Sequence, residues 1–180
     1  MAHHLFLCLA SNCTLEEEEN SMNKVLMKDV AMNAMIASLY AVLTIIIAPI
    51  AYGGIQFRIT EVMVFLAFYN KRYICGLTIG CFLANMASPM GVWDMSFGTI
   101  ATLMACIAMY KIDNMYLAAI IGSVINGLLV GAELYFALEL PFLINVLYVF
   151  IGEIVVLVIG IQLFHLIERN TTFMKKYIEE

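Results

Sequence analysis

From Val30 onward the chain alternates long apolar runs with short polar breaks, and six apolar segments can be drawn. The first is Val30 to Ile50, closed by Pro49 and the turn pair Gly53-Gly54. A short second runs from Ile59 to Tyr69 and stops at Asn70-Lys71-Arg72. The third, Tyr73 to Met86, ends at Ser88-Pro89 and Gly91; the fourth, Met95 to Tyr110, ends at Lys111-Ile112-Asp113-Asn114. The fifth is Met115 to Phe136, and Pro141 opens the sixth, Leu143 to Ile167. A helix crossing the hydrocarbon of a bilayer needs about 20 residues. Segments one, five and six meet that length, whereas two, three and four cross only if flanking polar residues are drawn in. Short membrane helices usually border a polar cavity, where unpaired backbone is tolerated.

Composition turns these runs into a membrane assignment. Of 180 residues 63% are hydrophobic and 13% charged, with a mean hydropathy of +0.93. A soluble domain carries roughly twice that charged fraction. The expected fold is an all-α integral membrane protein with six transmembrane helices and both termini cytoplasmic. That topology places Lys24, Lys28, Lys71, Arg72, Lys111, Arg169, Lys175 and Lys176 on one side, eight of the nine Lys and Arg. The positive-inside rule makes it the cytoplasmic side. The ninth, Arg58, stands outside.

Residues 1–26 read as a tail, either a tag remnant or sequence upstream of a start at Met22 or Met27. Leu5 to Ala10 is too short to span and lacks the basic start of a signal peptide. The six-helix domain is then 27–180. Cys75, Cys81 and Cys106 lie in apolar stretches and read as small hydrophobes. The net charge of −5 without a basic stripe argues against nucleic acid. No metal or cofactor motif appears, and no enzyme signature gives a catalytic residue.

Polar residues inside the segments are the candidate chemistry. Gln56, Arg58 and Glu61 open the second segment, Asn85 ends the third, and Trp93 and Asp94 precede the fourth. Glu133 and Asn145 lie near the outer ends of the fifth and sixth, with Asn126 and Glu153 deeper. A carboxylate in mid-membrane costs about 2.5–3.5 kcal/mol on insertion scales. Such groups opening outward above an apolar floor describe a pocket loaded from outside. The structural alternative is that they bond only to one another, with Arg58 and Glu61 neutralising each other at a helix end. Small residues recur every fourth position: Gly76, Gly80 and Ala84; Ala119, Ser123, Gly127 and Gly131; and Ala37 and Ala41 with Ala34 and Ser38 beside them. Stripes of this kind let helices approach closely. The first-helix stripe faces either the bundle or another protein.

Several of these residues also carry a family resemblance. Gly54-Ile55-Gln56-Phe57-Arg58-Ile59-Thr60-Glu61 is similar to the Q-F-R-[IV]-[ST]-E segment of the QueT family. The third-segment glycines with Cys81, Ala84 and Asn85 fit the same family, as does Trp93-Asp94-x-x-Phe97-Gly98-Thr99-x-Ala101-Thr102-Leu103. So do Asn126-Gly127, Gly131-Ala132-Glu133 and Gly152-Glu153, and the match runs in order from about Met27 to Ile167. The resemblance implies a substrate-binding S component of an energy-coupling factor (ECF) importer in the cell membrane. Such a component captures a queuosine precursor outside the cell and works with a transmembrane coupling subunit and two ATPase subunits. It would assign Ala37 and Ala41 to the coupling subunit, with Ala34 and Ser38 widening that contact. A 7-deazaguanine suits the inventory: its ring N–H and amine fit a carboxylate, its carbonyl an Arg or Asn, its face Trp93. An aminomethyl substituent, cationic at neutral pH, wants a second carboxylate. Competing readings are an S component for another vitamin-like heterocycle, an intramembrane enzyme using Glu133 and Glu153, or an assembly subunit without a ligand.

Overall fold

The computed structural model describes residues 2–48 and 58–169, with side chains from residue 22 onward. All regular structure among these residues is helical. The chain divides into two units, Met1–Met32 and Asn33–Glu180. The first is the early part of helix α1, which spans Ala2–Ile46. It starts well before Val30 because residues 2–29 contain no Gly or Pro to break it and are rich in strong helix formers.

The second unit holds the end of α1 and five further helices. Helix α2, Ile59–Tyr69, opens with a tight 3-10 stretch over Ile59–Val64 and relaxes to α geometry over Phe65–Tyr69. Asn70 stops it in an extended conformation, and its side chain accepts from the Arg72 backbone N–H at 3.1 Å, starting the next turn. Helix α3 is Ile74–Asn85. Gly91, at φ 56°, takes the left-handed conformation that sets the start of α4, Val92–Tyr110. Asn114 caps α5, Met115–Leu138, accepting from the N–H groups of Tyr116 and Leu117 at 2.9 and 3.1 Å. After Pro141 comes α6, Phe142–Glu168.

Among the described residues, four stretches are long and apolar enough to cross a membrane: Met22–Ile46, Val92–Tyr110, Met115–Leu138 and Phe142–Glu168. The fourth segment is thus not short, as its hydropathy suggested. Gly91 starts the helix three residues before Met95 and takes Trp93 and Asp94 into its first turn, giving 19 residues. Helix α3 has only 12 residues.

Glycine fixes how the helices meet. A Cβ on Gly80 would lie 2.9 Å from the Ala37 carbonyl oxygen of α1, and one on Gly76 2.8 Å from that of Asn33. On Gly131 it would lie 2.5 Å from Val146 Cγ2 of α6. The α3 and α5 stripes therefore serve close packing inside the bundle. Gly160 of α6 makes room for Phe65 of α2, whose ring also packs on Phe164 at 5.7 Å between centroids. At that end Tyr69 donates to Glu168 at 2.6 Å. Leu117, Ile120, Val124 and Leu128 on α5, and Leu147, Ile151 and Val155 on α6, stay exposed as apolar outer faces.

Candidate ligand-binding site

The buried polar residues of the second unit gather into two neighbouring groups. The first is centred on Asp94 in the opening turn of α4. Arg58, just before α2, places its guanidinium Nη2 3.3 Å from Asp94 Oδ1, and both side chains are buried. Ser88 donates to the other carboxylate oxygen. Asn85, ending α3, donates from Nδ2 to the Asp94 backbone carbonyl at 2.8 Å. Gly98, one turn along α4, lets this happen. A Cβ there would fall 2.6 Å from Asn85 Nδ2 and 3.3 Å from Arg58 Nη1.

Glu61 lies deeper on α2 with no meaningful exposure. Its Oε1 accepts from Tyr40 of α1 at 2.5 Å and from Thr102 of α4 at 3.4 Å, while Oε2 has no donor among the described residues. Thr102 also reaches Cys81 at 3.2 Å, and Thr44 bonds Thr60 at 2.7 Å. Glu61 thus draws donors from α1 and α4, and Arg58 bonds an aspartate 36 residues away.

The second group joins α5 and α6. Asn126 donates from Nδ2 to Glu153 Oε1 at 2.9 Å. Seven residues along the same face stands Glu133, with no exposed surface; neither carboxyl oxygen has an N–H or hydroxyl donor among the described residues, and the group it hydrogen-bonds with is a second carboxyl. Its polar neighbour is the Asp94 carboxyl, which ties the two groups together. Asn85 Oδ1, also beside Asp94, is another buried acceptor without a donor. Four buried carboxylates, Glu61, Asp94, Glu133 and Glu153, share one buried basic residue, Arg58, among the described residues.

Other candidates are placed differently. Trp93 turns outward, 44% exposed and packed on Phe97, so the aromatic face expected of it is not in this cluster. Asn145 is buried but donates to the Pro141 carbonyl of its own helix at 2.7 Å. Gln56 lies outside the described residues. The α1 stripe divides: Ala37 and Ala41 turn into the bundle, whereas Ala34 and Ser38 stay exposed. Cys81, read as a small hydrophobe, sits among Thr102 and Asn85 in the polar cluster, while Cys106 is buried and Cys75 exposed.

Tyr40 and Ser88 carry no signal in the sequence as site residues, and Gly98 and Thr102 appear there only inside the family-like motif that follows Trp93-Asp94. Hydroxyls in apolar helices carry no charge cost to flag them. The one available signal for Gly98 was its place in the Phe97-Gly98-Thr99 motif. Among the described residues no group of three or more His, Cys, Asp or Glu is arranged to hold a metal.

The profile of the QueT transporter family matches residues 30–169. The queuosine precursor transporter QueT of Lactococcus lactis subsp. cremoris (strain MG1363) is 34% identical over 156 residues, with 77% of this chain and 91% of the relative covered. No solved structure matches. A profile match over most of the chain, on a protein with several long apolar helices, identifies a multi-pass membrane protein that belongs to the QueT transporter family.

Proposed function

We propose that this protein is the substrate-binding S component of an ECF-type importer and captures a 7-deazaguanine queuosine precursor from outside the cell. In this reading the 27–180 domain crosses the membrane six times, with both termini cytoplasmic and α2 and α3 as short crossings. ATP hydrolysis belongs to two partner ATPases acting through a coupling subunit. The lactococcal relative's function supports the substrate class.

The observation that carries the reading is the Asn126–Glu153 pair across α5 and α6. The edge of a guanine-type base presents two adjacent donors, its ring N–H and its amine, beside a carbonyl acceptor. A carboxylate takes the donors in bidentate fashion and an amide N–H serves the carbonyl. Asn126 and Glu153 supply both from facing helices. Arg58, Asn85, Asp94 and Glu133 lie farther along, and Glu61 supports them from α2.

The exposed Ala34–Ser38 side of α1 is the surface left for the coupling subunit, with Ala37 and Ala41 packed behind it. Calorimetric titration of the purified protein with 7-deazaguanines, guanine and unrelated vitamins tests the substrate class. Binding confined to 7-deazaguanines is the expected result, and Glu153→Gln should weaken it by about 1.5–3 kcal/mol. Binding of an unrelated vitamin instead would reassign the pocket. Uptake that persists when the partner ATPases are inactivated would remove the ECF role.

A further inference from the structure

Cys81 lies on α3 with no exposed surface. A thiol buried as a small hydrophobe packs among carbon atoms, but polar groups surround the Cys81 sulfur. Thr102 of α4 donates to it at 3.2 Å, and Asn85, one turn along α3, donates from Nδ2 at 3.4 Å. The guanidinium Nη1 of Arg58 points at it from 4.0 Å, and the thiol itself donates to the Gly98 carbonyl at 3.6 Å. Sulfur is a weak acceptor. That weakness suits the place, because an oxygen acceptor here would compete for Arg58 with Asp94, which Arg58 now holds at 3.3 Å.

Asn85 shows what the sulfur does. Its NH2 group faces two acceptors, the Asp94 backbone carbonyl at 2.8 Å and the Cys81 sulfur. Gly98 closes the space beside it, since a Cβ there would fall 2.6 Å from Asn85 Nδ2. The amide is therefore fixed with its N–H groups turned to the protein. Its Oδ1 has no donor among the described residues, although Asn85 is only 1% exposed. A buried acceptor left open is costly until a partner arrives. The side chain is aimed to receive an N–H or O–H donor and not to supply one.

We infer that Cys81 is a positioning residue of the ligand site: its sulfur orients the Asn85 amide and steadies the Arg58 guanidinium, so that Asn85 Oδ1 meets a donor on the ligand. This inference rests on the reading of Arg58 and Asn85 as part of the ligand site of a 7-deazaguanine-binding component.

Wild type, Cys81→Ala and Cys81→Ser, each purified as the full-length protein, are titrated with 7-aminomethyl-7-deazaguanine and unfolded thermally without it. Cys81→Ala should weaken binding about threefold to tenfold, the worth of one ordinary hydrogen bond. Cys81→Ser, which returns an acceptor, should recover affinity to within about twofold of wild type. Wild-type affinity in Cys81→Ala overturns the inference, whatever happens to its unfolding temperature. Equal losses in both variants also overturn it, because the volume of the sulfur is then what matters. Infrared spectroscopy reads the same contact directly. The S–H stretching band of Cys81, identified by its disappearance in Cys81→Ser, should shift when the wild-type protein is saturated with ligand, and an unmoved band overturns the inference. If Cys81→Ala does not fold, that band decides. Failure of the wild-type protein to bind any 7-deazaguanine overturns the functional reading and this inference together.

Discussion

Glu61 on α2 and Glu133 on α5 are both buried to the point of having almost no accessible surface. Around Glu61 the protein supplies hydroxyls from two other helices, Tyr40 and Thr102, with Thr44 and Thr60 bonded close by. Around Glu133 it supplies the Asp94 carboxyl and, among the described residues, no N–H or hydroxyl donor. The difference extends to the helices that carry them. Where α1 to α4 meet, Tyr, Thr, Ser, Asn and Cys side chains bond one another across the bundle. Helices α5 and α6 meet through Gly127 and Gly131, and the bond Asn126–Glu153 is their polar contact. Polar groups that satisfy one another hold a membrane bundle together. A buried group left without a donor breaks the local rules of a stable interior, and such departures concentrate at functional sites. We propose that the hydroxyl-supported Glu61 belongs to the scaffold and that Glu133 and the Asn126–Glu153 pair face the ligand.

The comparison can be broken in several places. The largest effect is expected from Asp94→Ala, which removes the carboxylate from the buried Arg58–Asp94 pair. Its loss should lower unfolding free energy by about 3–5 kcal/mol, read by thermal unfolding in detergent. A variant as stable as wild type would mean that the Arg58–Asp94 pair is not scaffold. Tyr40→Phe removes a hydrogen bond to a carboxylate and should cost about 1.5–3 kcal/mol in the same assay. No change there would make Glu61 as unsupported as Glu133 and erase the contrast. Gly80→Ala puts a methyl 2.8 Å from Tyr40 Cβ and 2.9 Å from the Ala37 carbonyl, and overpacking of this kind costs about 1–3 kcal/mol. Ser38→Leu lies on the exposed side of α1 and should alter stability by less than about 0.5 kcal/mol. In the proposed ECF assembly it should leave ligand binding intact while suppressing ATP-driven uptake, measured in reconstituted vesicles. Loss of ligand binding instead would make this face part of the bundle's own packing.

The helices were legible because breakers as plain as Asn70, Pro89 and Pro141 punctuate the apolar runs. The start of α4 was misjudged because Trp93 and Asp94 looked like a polar flank, whereas the backbone at Gly91 sets the boundary. In the site, residues whose burial is expensive announced themselves: Arg58, Glu61, Asp94, Glu133 and Glu153. Their donors did not. Tyr40 and Thr102 lie 21 and 41 residues from Glu61 in sequence, and a hydroxyl in an apolar helix is cheap enough to pass unnoticed. Orientation was equally hidden. Adjacent residues on a helix point about 100° apart, so Trp93 faces outward while Asp94 faces the cluster. The same geometry splits the α1 stripe between Ala37 and Ala41 inside and Ala34 and Ser38 outside.

We propose that Glu133 serves the ligand and not the fold; its most direct test is thermal unfolding of wild type and Glu133→Gln with and without a 7-deazaguanine. A ligand at 100 times its Kd stabilises the protein it binds by about 2.7 kcal/mol. Empty Glu133→Gln should unfold at or above the wild-type temperature, since a neutral amide that can donate to Asp94 replaces a buried carboxyl facing another carboxyl, and it should lose most of the ligand-induced rise. A variant that melts well below wild type when empty yet keeps the full rise would contradict it, making Glu133 a structural residue.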